Sequence, residues 1–155
     1  LIITRKIGHP YNHEYAVCAV AQDGCIMCNK DEQEWLDPVW LKSQVEKEKA
    51  EARRRRELYL KGKAPWPAKD KIAIIVDDGL ATGLTMLLAI EEIKHDQPAK
   101  IVVAVPVAPA DTAEKIKNTG AELVTLEIPK VFLGSVGAYY EEFKQVEDKE
   151  VVKML

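Results

Sequence analysis

Two adjacent carboxylates, Asp77 and Asp78, stand directly after the apolar run Ile72 to Val76 and just before Gly79-Leu80-Ala81-Thr82-Gly83-Leu84-Thr85. An acidic pair suits the vicinal hydroxyls of a sugar, which donate hydrogen bonds to carboxylate oxygens, or a hydrated magnesium ion. The next segment, Ala81 to Thr85, brings two hydroxyls and a glycine to the start of an expected helix. Unpaired N–H groups and the partial positive charge of a helix N-terminus suit a phosphate monoester. A hydroxyl clamp and an anion cradle a few residues apart together describe a ribose 5-phosphate. The simpler reading, in which Asp77 and Asp78 only cap a turn, leaves the phosphate-type loop unexplained. Cys25 and Cys28 form a CxxC, but a zinc site needs two further ligands, and Cys18, His9 and His13 lie at no recognised spacing.

The elements that must position these residues are marked by pattern. Ile72 to Val76 is an unbroken apolar run, a helical stretch follows from about Leu84 to His95, and a second run spans Ile101 to Val105. That order is a strand, helix, strand unit, and continuous apolar strands linked by helices predict a parallel sheet covered on both faces. The acidic pair then falls at the carboxyl end of a strand, where open parallel sheets collect ligands. Asp111-Thr112-Ala113-Glu114 reads as a capping box opening another helix that ends near Gly120, and Leu123 to Leu126 as a further strand.

Upstream, Leu1 to Thr4 reads as a strand, Arg5 to His13 as a polar loop, and Tyr15 to Ala21 as a second strand that pairs with the first and stops at Asp23-Gly24. Asp37-Pro38 is a helix start, with Asp at the N-cap and Pro at the first helical position. The helix is expected from Pro38 to Lys61, ended by Gly62 and by Ala64-Pro65-Trp66-Pro67. Its apolar residues are sparse, so most of it is expected to be solvated or to lie over another part of the molecule. The tail from Pro129 to Phe143 is rich in Gly and aromatics; it either caps a pocket or completes the core.

Four apolar residues, two acids and a Thr-Gly loop, from Ala73 to Thr85, resemble the phosphoribosyl-diphosphate motif of type I phosphoribosyltransferases. The resemblance implies that Asp77 and Asp78 bind the ribose 2- and 3-hydroxyls while Ala81, Thr82, Gly83, Leu84 and Thr85 wrap the 5-phosphate. Leu84 departs from the small residue often found there, which bears on local packing. Arg5-Lys6 is similar to the Arg-Lys pair of several base-salvage members and becomes a candidate for the pyrophosphate, so that Asp77, Asp78, Arg5 and Lys6 make up the expected catalytic set. With Arg5-Lys6-Ile7-Gly8, Asp23-Gly24, the charged helix, Val105 to Pro109 and Val136 to Tyr140, nearly the whole chain resembles an uncharacterised bacterial subgroup of that family. The implied fold is an α/β single domain over residues 1–155: a parallel sheet flanked by helices, with a long charged helical insertion and a C-terminal hood. The implied reaction moves a phosphoribosyl group from phosphoribosyl diphosphate to a nitrogenous base, with magnesium carried by the substrate rather than by a direct protein site. Phe132 and Tyr139 are candidates to stack on the base, and either the Arg5 to His13 loop or the charged helix is a candidate cover. A homodimer is expected. Members of that subgroup begin earlier, with a strand, a helix and a Gly-containing pyrophosphate loop, so the chain is expected to be N-terminally truncated.

Composition sets the outer bounds. A chain of 155 residues that is 47% hydrophobic can bury one continuous core. A net charge of −3 argues against a surface built for nucleic acid. Arg53 to Arg56 is the one basic run; such a run on a helix is more often a solvated face than an RNA site. No apolar run reaches membrane-spanning length and no signal-type segment opens the chain, so the cytoplasm is the expected location. An odd count of three cysteines is expected to remain as thiols. Related acidic strand ends are excluded by missing partners: there is no GxxxxGK[ST] loop for a P-loop ATPase, and Val105 is followed by Pro106-Val107-Ala108 where a receiver needs further chemistry. A module that binds phosphoribosyl diphosphate without turnover is the alternative to an enzyme.

Overall fold

In the computed structural model, which describes residues 1–21, 23–63 and 67–155, the strands form two separate sheets, with Asn12–Ala21 in the middle of one and Lys100–Val107 in the middle of the other. The backbone groups into Leu1–Trp66 with Lys144–Leu155, and Pro67–Phe143.

The first unit is built around β2 (Asn12–Ala21), which pairs antiparallel with β1 (Thr4–His9) on one side and β3 (Ile26–Cys28) on the other. Residues Val17 to Ala21 are all buried, so this stretch holds the sheet while its neighbours serve as edges. Ile7, Val17, Cys18 and Val20 pack with Leu36 and Val45, and Trp40 and Leu41 close the cluster. A short α1 (Lys30–Gln33) leads to α2 (Pro38–Leu60). The side chain of Asp37 accepts from the Val39 N–H at 2.8 Å and Pro38 opens the helix, as the sequence predicts. Lys61 closes it in the left-handed region, φ 45°, with its N–H on the Glu57 carbonyl. Only Val45 and Ala52 of this helix are buried, with Trp40 and Leu41 partly buried against the cluster; its other face is charge-laced surface, and the helix thus both lies over the sheet and meets solvent, as its sparse apolar residues allow. On it Glu51 binds both Arg54 and Arg55, which pulls the Glu51 carboxyl down from 4.5 to about 2. The closing helix α5 (Asp148–Met154) returns to α2, where Asp148 accepts from Arg54 at 2.8 Å and from Tyr59 at 2.5 Å.

Three expectations change here. The first strand runs over Thr4–His9 rather than Leu1 to Thr4, and Arg5 to His13 forms part of a hairpin rather than a polar loop. Polar side chains hide such an edge strand because its pairing is made by backbone groups, and Ile7 alone marks its buried face. The thiol expectation also falls: Cys18 lies opposite Cys28 in the β2–β3 register and the two form a disulfide. Cys25, the other half of the CxxC, stays exposed, with its thiol donating to Asp23. The predicted break at Ala64-Pro65-Trp66 lies outside the described residues.

The second unit is a parallel sheet in the order β4-β5-β6, formed by β4 (Ile72–Val76), β5 (Lys100–Val107) and β6 (Glu122–Glu127). Helices α3 (Leu84–His95) and α4 (Ala110–Asn118) make the crossovers. Ile75, Ile101, Val103, Val105 and Leu123 point toward Met86, Ile90, Ala113 and Ile116 and form the core with them. Side chains alternate along a strand, so Ile72, Ile74, Val76, Val124 and Leu126 face the other way. They are exposed, Val76 at 74% and Leu126 at 89%. The sheet is parallel and flanked by helices as expected, but its unbroken apolar runs do not have both faces buried among the described residues. Helix α4 also starts differently: its N-cap is Pro109, it has no side-chain cap, and the predicted capping box does not form. The helix begins two residues early, at Ala110, which turns Thr112 inward and leaves Asp111 near Lys115. No helix among the described residues is long and apolar enough to cross a membrane.

Candidate functional site

The acidic pair sits where β4 ends. The Asp77 N–H reaches the Ala104 carbonyl at 3.4 Å, carrying the β4–β5 ladder one residue past the strand. The Asp78 N–H then turns back to the Asp77 carboxylate at 3.0 Å. Both carboxylates keep an exposed face, yet lost hydration at the crowded strand end raises the pKa of each. For Asp77 the Asp78 charge adds to the rise, and the Asp78 N–H opposes it. Carboxylates in this condition gain when hydroxyl donors replace the missing water.

The loop that follows is held at Gly79, Leu80, Ala81 and Gly83. The Leu80 N–H donates to the Val107 carbonyl at 2.9 Å, and its side chain, 2% exposed, enters the core. Burying a leucine contributes about 2 kcal/mol, so this apolar residue anchors an otherwise polar loop. Gly79 fits because a Cβ there would lie 2.6 Å from Val136 and 3.0 Å from Val107. Thr112, buried on α4, donates its hydroxyl to the Ala81 carbonyl at 2.7 Å. The methyl of the same threonine lies under Gly83, 2.6 Å from where a Cβ would stand.

Gly83 is the N-cap of α3 with φ 76°, a left-handed conformation that favours glycine, and no side chain caps the helix. A helix start without a side-chain cap is the kind of first turn whose N–H groups suit an anion. Leu84, which departs from a small residue, is buried, so it presents only its backbone to a ligand. Ala81, Thr82 and Thr85 remain partly exposed around the same turn.

Beside the loop lies the aromatic tail, folded as a 3-10 turn over Val136–Tyr139. Phe132 and Tyr139 stack with ring centroids 5.5 Å apart, and the Leu133 N–H donates to the Tyr139 hydroxyl at 3.0 Å. Each of these two candidate base contacts is only half-buried. The Tyr140 hydroxyl donates to the Asp78 main-chain carbonyl at 2.6 Å. The tail is therefore a cap on the acidic loop rather than filler for the core.

The structure thus brings together Asp77, Asp78 and Ala81 to Thr85, with Phe132 and Tyr139 in the same unit. Arg5 and Lys6 belong to the other unit, on β1. There Arg5 donates through Nε to Glu48 of α2 at 2.9 Å, whereas Lys6, on the opposite side of the strand, is exposed. Leu80, Thr112 and Tyr140 are the contributors that pattern alone does not single out. Leu80 had a signal in the sequence, as a lone aliphatic within a polar loop. Among the described residues no group of three or more His, Cys, Asp or Glu could hold a metal.

Residues 43–142 match the family model described as the phosphoribosyl transferase domain. Two Mycobacterium tuberculosis proteins, from strains CDC 1551 / Oshkosh and ATCC 25618 / H37Rv, each named "Putative phosphoribosyl transferase", are 34% identical over 157 residues. The match takes in 100% of this chain, but the chain spans only 35% of their length. A uracil phosphoribosyltransferase of Mycoplasma genitalium is 44% identical over 56 residues, 36% of this chain and 27% of that protein. Among solved structures, TT1426 from Thermus thermophilus superposes with a TM-score of 0.71 at 33% identity, covering 99% of this chain and 73% of that one.

Proposed function

The chain belongs to the phosphoribosyl transferase family, and we propose that it transfers a phosphoribosyl group from phosphoribosyl diphosphate to a ring nitrogen of a base, releasing pyrophosphate. The observation that carries this reading is the acidic pair at the end of β4 running directly into the uncapped N-terminus of α3. Asp77 and Asp78 take the ribose hydroxyls, and the backbone from Ala81 to Thr85 takes the 5-phosphate. Attack by the base at ribose C1 displaces the diphosphate through a transition state with oxocarbenium character. The protein's part is to hold both reactants in line and to exclude water. Two exposed carboxylates suit a hydrated magnesium ion that arrives on the substrate's own oxygens. When bound, that ion screens the charge of the leaving diphosphate. Arg5 and Lys6 are the basic groups proposed for the same anion, and Phe132 or Tyr139 is proposed to stack on the base.

One observation favours a second reading. Arg5 is already paired with Glu48, which suits a module that binds the donor without turning it over. Turnover of any base in a panel, followed as released pyrophosphate, would remove it.

The central test is calorimetric titration of phosphoribosyl diphosphate with magnesium into the protein and into the Asp77→Asn/Asp78→Asn variant. Affinity is expected to fall by on the order of tenfold or more, about 1.4 kcal/mol. Equal binding by both proteins would sink the proposal.

A further inference from the structure

We infer that Tyr140 is a positioning residue that couples the aromatic cap to the acidic loop, so that donor binding at the loop sets the placement of the base-side aromatics. The inference rests on the phosphoribosyl-transfer reading and extends it to a residue that contacts neither proposed substrate. The Tyr140 hydroxyl donates to the Asp78 carbonyl at 2.6 Å, and this bond is made at the residue whose side chain is assigned to the ribose. The ring of Tyr140 packs on Phe143, centroids 5.1 Å apart, and Phe143 in turn lies against Gly137, where a Cβ would come within 2.9 Å of its ring. Gly137 is inside the 3-10 turn that ends at Tyr139, one of the candidate base contacts. A second contact runs parallel to the first, with Val136 of the same turn lying over Gly79.

These contacts join Asp78 to Tyr139 through neighbours that have little slack. Glycine at 79 and at 137 is what allows the close approaches, because any side chain would push the cap away from the loop. Ring stacking alone would leave the cap free to slide. The hydroxyl bond is directional and fixes its register on the loop. In-line attack depends on the distance between ribose C1 and the base nitrogen. A cap whose placement follows the loop keeps that distance when the donor binds.

Tyr140→Phe removes the hydroxyl and keeps the ring on Phe143. The test is hydrogen exchange of the backbone over residues 129–143, measured by mass spectrometry with and without phosphoribosyl diphosphate and magnesium. In the unaltered protein the donor is expected to slow exchange in this segment severalfold. In Tyr140→Phe the donor should still bind, by calorimetry, but the slowing should be lost. Val136→Ala, which thins the second contact, should reduce the slowing and serves as the test if Tyr140→Phe does not fold by far-UV circular dichroism. Equal donor-induced slowing in variant and unaltered protein overturns the coupling while leaving the proposed function intact. Failure of the unaltered protein to bind the donor overturns both.

Discussion

Thr112 sends its hydroxyl to the Ala81 carbonyl while its methyl supports Gly83, so one buried side chain touches the phosphate-type loop at two points. Thr112→Val preserves the shape and removes the hydrogen bond. A net loss of about 1 kcal/mol in stability is expected, together with weaker binding of phosphoribosyl diphosphate, because the loop loses its fixed curvature. Denaturant unfolding and calorimetry check the two effects. An unchanged donor affinity would reduce Thr112 to a core residue. The sequence makes Asp77, Asp78 and the Thr-Gly loop legible because their chemistry is local: acid, hydroxyl and glycine lie within a few positions of one another. Thr112 is hidden since its partner is thirty-one positions away, and its place after Pro109-Ala110-Asp111 imitates a helix cap. Tyr140 is hidden for a related reason: an aromatic that donates to a main-chain carbonyl leaves no complementary side chain to find.

Helix α3 and strand β4 have the bounds that apolar periodicity predicts, Leu84–His95 and Ile72–Val76. Burial of one helical stripe leaves a direct trace in residue order, and an unbroken apolar run marks the strand even though alternate residues of it are exposed. The β1 to β3 region leaves a weaker trace. Only β2 is apolar throughout its buried stretch, and β1 and β3 acquire their structure by pairing with it. Cys18 and Cys28 close a crosslink across ten positions there. Chain-entropy reasoning gives such a loop roughly 2–3 kcal/mol of stabilisation. A reductant is accordingly expected to lower the unfolding free energy by that amount, and Cys28→Ser should behave like the reduced protein. A denaturant midpoint unmoved by reductant, with thiol titration showing the bond open, would rule this out. The sheet of the second unit carries a further lesson: continuous apolar strands report what the strand can bury, and exposed Ile74, Val76 and Leu126 show that they do not report what covers it.

The chain passes from the first unit into the second near Pro67 and returns by way of Lys144, so neither unit is severed from the other by a single linker. Two covalent crossings favour cooperative unfolding, and the single-domain reading predicts one transition. Trp35, Trp40 and Trp66 all precede Pro67, so tryptophan fluorescence reports the first unit, whereas far-UV circular dichroism reports both. The two curves are expected to coincide in denaturant. Separate midpoints would show that the units unfold independently. The contact of Tyr140 with Asp78 has a bearing on descent as well as on mechanics. Its acceptor is a carbonyl that every amino acid supplies, so the side chain at position 78 can be exchanged during divergence without breaking the cap's attachment. Ligand preference and cap attachment are, at that one position, separately heritable.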